Sequence, residues 1–194
     1  MIPEPTKNSI PGALLSRSEG DRTRSAPGQW LAGAVVGLAL SALVVPAVAK
    51  PNLRLVWNVS ASVPLGLYRI EPGHSPKIGE LAAVRPEPAL SQLMANRRYV
   101  EQGALLVKPV AAVTGARVCR QQQRITINGQ QRASALDHDR FGRELPRWRG
   151  CRNLGAGQYF LLAPNVPASF DSRYFGPIAA ANVIGRATPL WIWP

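Results

Sequence analysis

Residues 30–49, WLAGAVVGLALSALVVPAVA, carry no charged side chain. As a helix at ~1.5 Å per residue this run is roughly 30 Å long, the thickness of a bilayer's hydrocarbon core. It divides the chain into a leader of residues 1–29, the apolar run itself, and a remainder of residues 50–194. Trp30 and Lys50 stand at its two ends, as interfacial anchors do. The leader is polar and rich in Pro, Ser and Gly, which predicts a disordered tail. Both flanks are basic, with Arg17, Arg22 and Arg24 before the run and Lys50, Arg54 and Arg69 after it. A long C-terminal domain translocates largely regardless of charge, so the expected orientation is N-terminus inside, domain outside. The AVA at 47–49 leaves a second reading open, a signal peptide cut at an A-x-A site. The run is longer than a usual signal core, which favours a retained single-pass anchor.

Beyond the run the pattern changes to short alternating segments. Glycine (17) and proline (18) are frequent, as suits many strands and turns. Strands are predicted at 53–60, 80–86, 104–113, twice within 116–132, at 157–163 and at 182–193. Asn128-Gly129 marks a hairpin turn. One helix is expected over 88–100, and a polar loop or small subdomain at about 133–150. The fold class read from this is mainly β, behind one N-terminal transmembrane helix.

The net charge of +12 raises nucleic acid as a partner. The arginines are scattered, with no recognition helix and no aromatic–basic repeat, so no nucleic acid is expected. A basic surface beside anionic lipid accounts for the charge. Cys119 and Cys151, far from any histidine cluster, make a poor zinc site. They are either one disulfide or two buried thiols, and no metal or cofactor is expected.

Histidine chemistry is weakly supported. His138 sits between Asp137 and Asp139 in the polar loop, where a solvated histidine is the simpler reading than a metal ligand or a relay. Only eight acidic residues follow residue 30, which weakens paired-carboxylate chemistry too. A serine nucleophile would then need another base, and a neutral lysine can serve. Burial in apolar surroundings is what keeps a lysine neutral. Of four lysines, Lys7 is in the tail, Lys50 at the membrane edge and Lys77 in a Pro/Gly turn. Lys108, in ALLVKPV, alone lies within an apolar strand, where it is either a buried base or an edge residue reaching water. A serine needs an exposed bend, and NVSASVPLG (58–66) offers one, with Pro64 ending sheet pairing near Ser62 and Gly66 permitting a close turn. Ser60, two residues earlier on the same face of an extended strand, would aim at the same substrate. A third stretch, APNVPASFDSRYFGPI (163–178), crowds Ser169, Asp171, Arg173 and Tyr174 between strands.

NVSASVPLGLY (58–68), LLVKPVAAVTG (105–115) and SFDSRYFGPI (169–178), in this order after an apolar span, resemble the serine/lysine signal peptidases. The TraF-like branch, the conjugative-transfer peptidases, is the closer likeness, and LPRWRGCRNLGAGQYFLL (145–162) shares it. The resemblance spans residues 30–194. It implies a signal-peptidase-like antiparallel β catalytic domain in the periplasm, anchored in the bacterial inner membrane. By position it implies Ser62 as nucleophile, Lys108 as general base, Ser60 as oxyanion helper and Asp171 as a supporting catalytic acid. Val63, Pro64, Ser169 and Arg173 are the expected substrate-binding positions. It also implies a Cys119–Cys151 disulfide. Two departures stand out: Pro109 follows Lys108 where arginine is usual, and the third motif opens APNVPAS rather than Gly-Asp-Asn.

The expected function is a serine endopeptidase that processes, or processes and cyclises, an exported pilin-like precursor for conjugative transfer. Its expected partners are that precursor, inner-membrane lipid and other subunits of a transfer apparatus. A general leader peptidase and a non-enzymatic transfer subunit are the alternatives.

Overall fold

The computed structural model describes residues 27–48 and 55–193, with side chains of the first segment over 30–42. The chain divides into two units, Met1–Lys50 and Pro51–Pro194. In the first, helix α1 (Pro27–Val48) takes up the uncharged run. Trp30, Leu31, Val35, Val36, Leu38 and Leu40 are exposed around it. Among the described residues no helix is long and apolar enough to cross a membrane. The expected tail up to residue 26, the Ala49 end of the A-x-A pattern and Lys50 lie outside the described residues.

The second unit is antiparallel β. Its strands are β1 (Leu55–Asn58), β2 (Gly66–Pro72), β3 (Leu81–Val84), β4 (Leu106–Val113), β5 (Arg117–Gln121), β6 (Arg124–Ile127), β7 (Gln130–Ser134), β8 (Gly150–Asn153), β9 (Gln158–Leu161), β10 (Ile178–Ala179) and β11 (Val183–Ile192). Helices α2 (Pro88–Asn96) and α3 (Ser172–Phe175) interrupt them. Seven strands form one sheet in the order β1-β2-β11-β3-β4-β9-β10, and four form a second in the order β7-β6-β5-β8. Residues 135–149 are mostly irregular, as their polarity suggested, although they return the chain to the second sheet rather than building a separate body. The Asn128-Gly129 turn is as expected: both residues have positive φ, 49° and 82°, and join β6 to β7. Cys119 and Cys151 face each other across β5 and β8 and are joined in a disulfide.

Strands β3 and β4 lie inside the large sheet, covered on both faces. Ala82, Val84, Leu106 and Val110 pack on one face with Met94, Leu161 and Ile178. Ala83 and Val107, pointing the other way, pack with Val63, Tyr68, Ile70 and Ala187. Burial on both faces is why 104–113 reads as a nearly continuous apolar run. It also settles the position of Lys108, which sits between β3 and β9 and is not on an edge strand.

Gly66 has a different role from the one expected. It opens β2 rather than making a turn, at φ 143°, and a Cβ placed there would lie 2.1 Å from the Trp191 carbonyl oxygen. Glycine is needed because β11 approaches the backbone too closely for any side chain.

Candidate active site

Strand β1 ends at Asn58, two residues before its expected end, because the Asn58 side chain competes with the sheet for the next backbone groups. Its buried Nδ2 donates to the carbonyls of Ser60 (2.8 Å), Val63 (3.2 Å) and Pro64 (3.0 Å). Its Oδ1 accepts from the Ser60 N–H at 3.2 Å. Tyr68 Oη donates to the Pro64 carbonyl at 2.7 Å. Residues 59–65 are therefore wound into a bend. Ser60 and Ser62 are not neighbours on one face of a strand, as alternation had suggested, but sit on successive corners of that bend.

The bend sets Ser62 against β4. Lys108 Nζ donates to Ser62 Oγ and, at 3.3 Å, to Ser169 Oγ. Ser169 Oγ in turn donates to Ser62 Oγ at 3.1 Å. The three side chains close a triangle from positions 46 and 107 residues away from Ser62. Lys108 is 3 % exposed and shares its strand face with Leu106 and Val110. Burial pulls its pKa down from 10.5 to about 8; the nearby Asp171 charge works upward and that of Arg173 downward. The two opposed charges leave desolvation in control.

Asp171 and Arg173 are fully buried and paired, with Arg173 Nε 2.8 Å from Asp171 Oδ1. Asp171 caps α3 by accepting from the Arg173 N–H, and it also accepts from the Ala163 N–H at 3.0 Å. Arg173 gives its remaining donors to the carbonyls of Ala163, Val166, Pro167 and Ser134. This network ties residues 163–167 to α3 and fixes Ser169 between them. Neither residue is among those lining the cleft above Ser62.

The cleft is a cavity of about 310 Å³ whose walls include Ser60, Ser62, Lys108, Leu106, Val166 and Phe170. Val63 points into the core beside Tyr68, and Pro64 contributes its carbonyl to the bend. Of the expected substrate-binding positions Val63, Pro64, Ser169 and Arg173, none is among the residues lining this cavity. Ser169 belongs with Ser62 and Lys108, and the other three support the bend or the α3 loop. Asn58 and Tyr68 were not anticipated: a polar residue ending a strand carries no pattern that announces what it holds. His138 is exposed, and its neighbours are engaged elsewhere, Asp137 with Arg147 and Asp139 with Arg143.

A sequence model described as "Signal peptidase, peptidase S26" matches residues 28–193. The chain belongs to this signal peptidase family. It is similar to conjugal transfer protein TraF of Agrobacterium fabrum, 34% identical over 146 residues, covering 69% of this chain and 80% of the relative. It is also similar to plasmid transfer protein TraF of Escherichia coli, at 26% over 145 residues, 70% of this chain and 82% of the relative. Signal peptidase I V of Bacillus subtilis is 31% identical over 91 residues, 42% of this chain and 54% of the relative. Among solved structures, a signal peptidase I from Enterococcus faecalis V583 aligns with 59% of this chain and 97% of its own, at 22% identity and a TM-score of 0.37. Membership of the signal peptidase family implies a protein substrate.

Proposed function

We propose that this chain is a membrane-anchored serine endopeptidase working through Ser62 and Lys108. The observation that carries the reading is a desolvated lysine, with its pKa drawn to about 8, hydrogen-bonded to a serine hydroxyl in an open cleft. Neutral Lys108 takes the proton from Ser62 Oγ as that oxygen bonds to the substrate carbonyl carbon. The oxyanion is held by the Ser62 N–H, which has no hydrogen-bond acceptor among the described residues, and by the Ser60 hydroxyl from the cleft wall. As the C–N bond breaks, Lys108 returns the proton to the departing amine. Water, or an amine of the substrate itself, then attacks the ester. It gives its proton to Lys108, which reprotonates Ser62. A substrate amine at that step would close a ring. Ser169 holds the lysine and serine in register, and Asp171 and Arg173 hold Ser169.

Three features support a site in the bacterial inner membrane facing the periplasm. Residues 30–49 carry no charged side chain, as suits lipid rather than water. Trp57, Trp191 and Trp193 form an exposed cluster, about half exposed each, of the kind found at lipid headgroups. The disulfide suits an oxidising compartment. By analogy with relatives named for conjugal and plasmid transfer, the substrate is an exported pilin-like precursor and the setting a transfer apparatus. The test is mass spectrometry of the precursor co-expressed with wild type or Ser62→Ala. The expected result is a shortened product with wild type alone, lighter by one further water if it is cyclised. An unprocessed precursor in both leaves the non-enzymatic alternative. The similarity to signal peptidase I V favours a second reading, general leader peptidase, which predicts rescue of a strain depleted of its own enzyme.

A further inference from the structure

The cleft beside Ser62 has a second, charged end. Arg98, Arg140 and Asp139 line the same cavity as Ser62 and Lys108. The charges there do not cancel. Partial burial works to raise the Asp139 pKa, but hydrogen bonds from Tyr99 Oη and from the Arg143 and Phe141 N–H groups and the Arg143 side chain hold it well below the usual carboxylate range. Asp139 is thus a carboxylate already matched by Arg143 at 2.7 Å. Arg98 and Arg140 are exposed and belong to no ion pair among the described residues. Arg140 is steadied by the Phe141 ring, 4.7 Å from its guanidinium carbon.

Arg98 is notable for its backbone. Helix α2 closes with the Arg98 N–H bonded to the Ala95 carbonyl and the Tyr99 N–H to the Met94 carbonyl. This is the paired closure in which the residue after the C-cap takes a left-handed conformation, a place where glycine is strongly favoured. Arg98 occupies it at φ 55°. The crowding of its Cβ against the backbone is a cost carried at the one helix-end position where glycine would remove it, and the side chain there is a cation without an ion pair among the described residues, lining the cleft.

We infer that Arg98 and Arg140 form an acid-recognition subsite, and that the preferred substrates carry Asp or Glu within the few residues flanking the cut. The inference rests on the reading of this cleft as a peptidase site. A carboxylate placed between two unpaired guanidiniums gains from both, and a lysine in its place is repelled by both. Small side chains fill the apolar part of the cleft near Ser62 while the acid engages its charged end.

The experiment uses the full chain in detergent micelles with two alanine-rich fluorogenic peptides of equal length, one flanked by Asp and one by Lys. Wild type should cleave the Asp peptide with kcat/KM about 10-fold above the Lys peptide at low salt, on the scale of two partly exposed ion pairs, and the ratio should narrow with added NaCl. Arg98→Glu combined with Arg140→Glu should invert the ratio. Arg98→Gly should lower it by several-fold while the Tm holds or rises, which a merely structural arginine would not do. Equal cleavage of the two peptides by wild type, or an unchanged ratio in the folded double variant, overturns the subsite. Ser62→Ala protein is titrated with both labelled peptides in parallel. If wild type cleaves neither peptide, the peptidase reading fails, yet tighter binding of the Asp peptide, lost in the double variant, still upholds the subsite; equal binding overturns it.

Discussion

Replacing Lys108 with methionine should abolish activity and make the protein more stable. A lysine that falls from 10.5 in the unfolded chain to about 8 in the fold is penalised whenever it must be charged. At ~1.4 kcal/mol per pH unit, that fall corresponds to about 3 kcal/mol at pH 7. Methionine matches the aliphatic stem and carries no charge between Leu106 and Val110. Against this, the amine's bonds to Ser62 and Ser169 disappear, at about 1 kcal/mol between them, since those two hydroxyls remain bonded to each other. The net gain is about 2 kcal/mol at pH 7. The sign with pH is specific. Because the folded pKa is depressed, the unfolded chain binds the extra proton between about 8 and 10.5, so wild-type stability rises across that window and the advantage of methionine shrinks over it. Thermal unfolding of both full-length proteins in detergent, followed by tryptophan fluorescence from pH 6 to 10.5, reads the difference. A methionine variant that is less stable at pH 7, or a difference constant with pH, would refute the account of Lys108 as a desolvated amine.

Four further outcomes follow from the same geometry. The kcat/KM of wild type should climb as pH rises through about 8, where Lys108 loses its proton, and level off above it; a profile flat from pH 6 to 9 contradicts this. Asp171→Asn should move that rise to lower pH, because the Asp171 charge is what holds the lysine pKa up, while costing about 3–5 kcal/mol of stability by leaving Arg173 buried without its partner, as denaturant titration would show. Gly66→Ala should cost several kcal/mol or prevent folding, since the new Cβ falls 2.1 Å from the Trp191 carbonyl; wild-type-like melting would show that β11 does not approach as described. Asn58→Ala should leave three carbonyls without their shared donor, lowering kcat more than it raises KM and destabilising by about 2 kcal/mol; an unchanged kcat removes Asn58 from the positioning of Ser62.

The pairing of Ser62 with Lys108 was legible because both rest on chemistry that a sequence exposes. A lysine inside ALLVKPV is either a buried base or an edge residue reaching water, and a serine before a proline is either a bend nucleophile or a plain strand end; the three motifs in order are what joined the two. What stayed hidden depends on which way a side chain faces across a turn. Alternation treats 58–62 as strand, so it aligned Ser60 with Ser62 and missed that Asn58 had already bent the chain. That Val63 packs into the core and that Arg173 ties carbonyls of the 163–167 loop depend on contacts across the fold that no local pattern marks. Strand β2 carries alternating residues but follows directly on the bend, and β8 and β10, of four and two residues, are too short for periodicity to register. The left-handed Arg98 had no signal at all, because nothing in a single sequence marks an arginine standing where glycine fits better.

The claim that Ser62 is the attacking atom can be read most directly by trapping its ester. Wild-type protein mixed with excess substrate peptide and quenched in acid should gain the mass of the substrate's N-terminal fragment less one water, as an acyl ester that maps after digestion to the peptide containing Ser62. The adduct and turnover should both vanish in Ser62→Ala. An adduct on another residue, or turnover that continues in Ser62→Ala, would contradict the account.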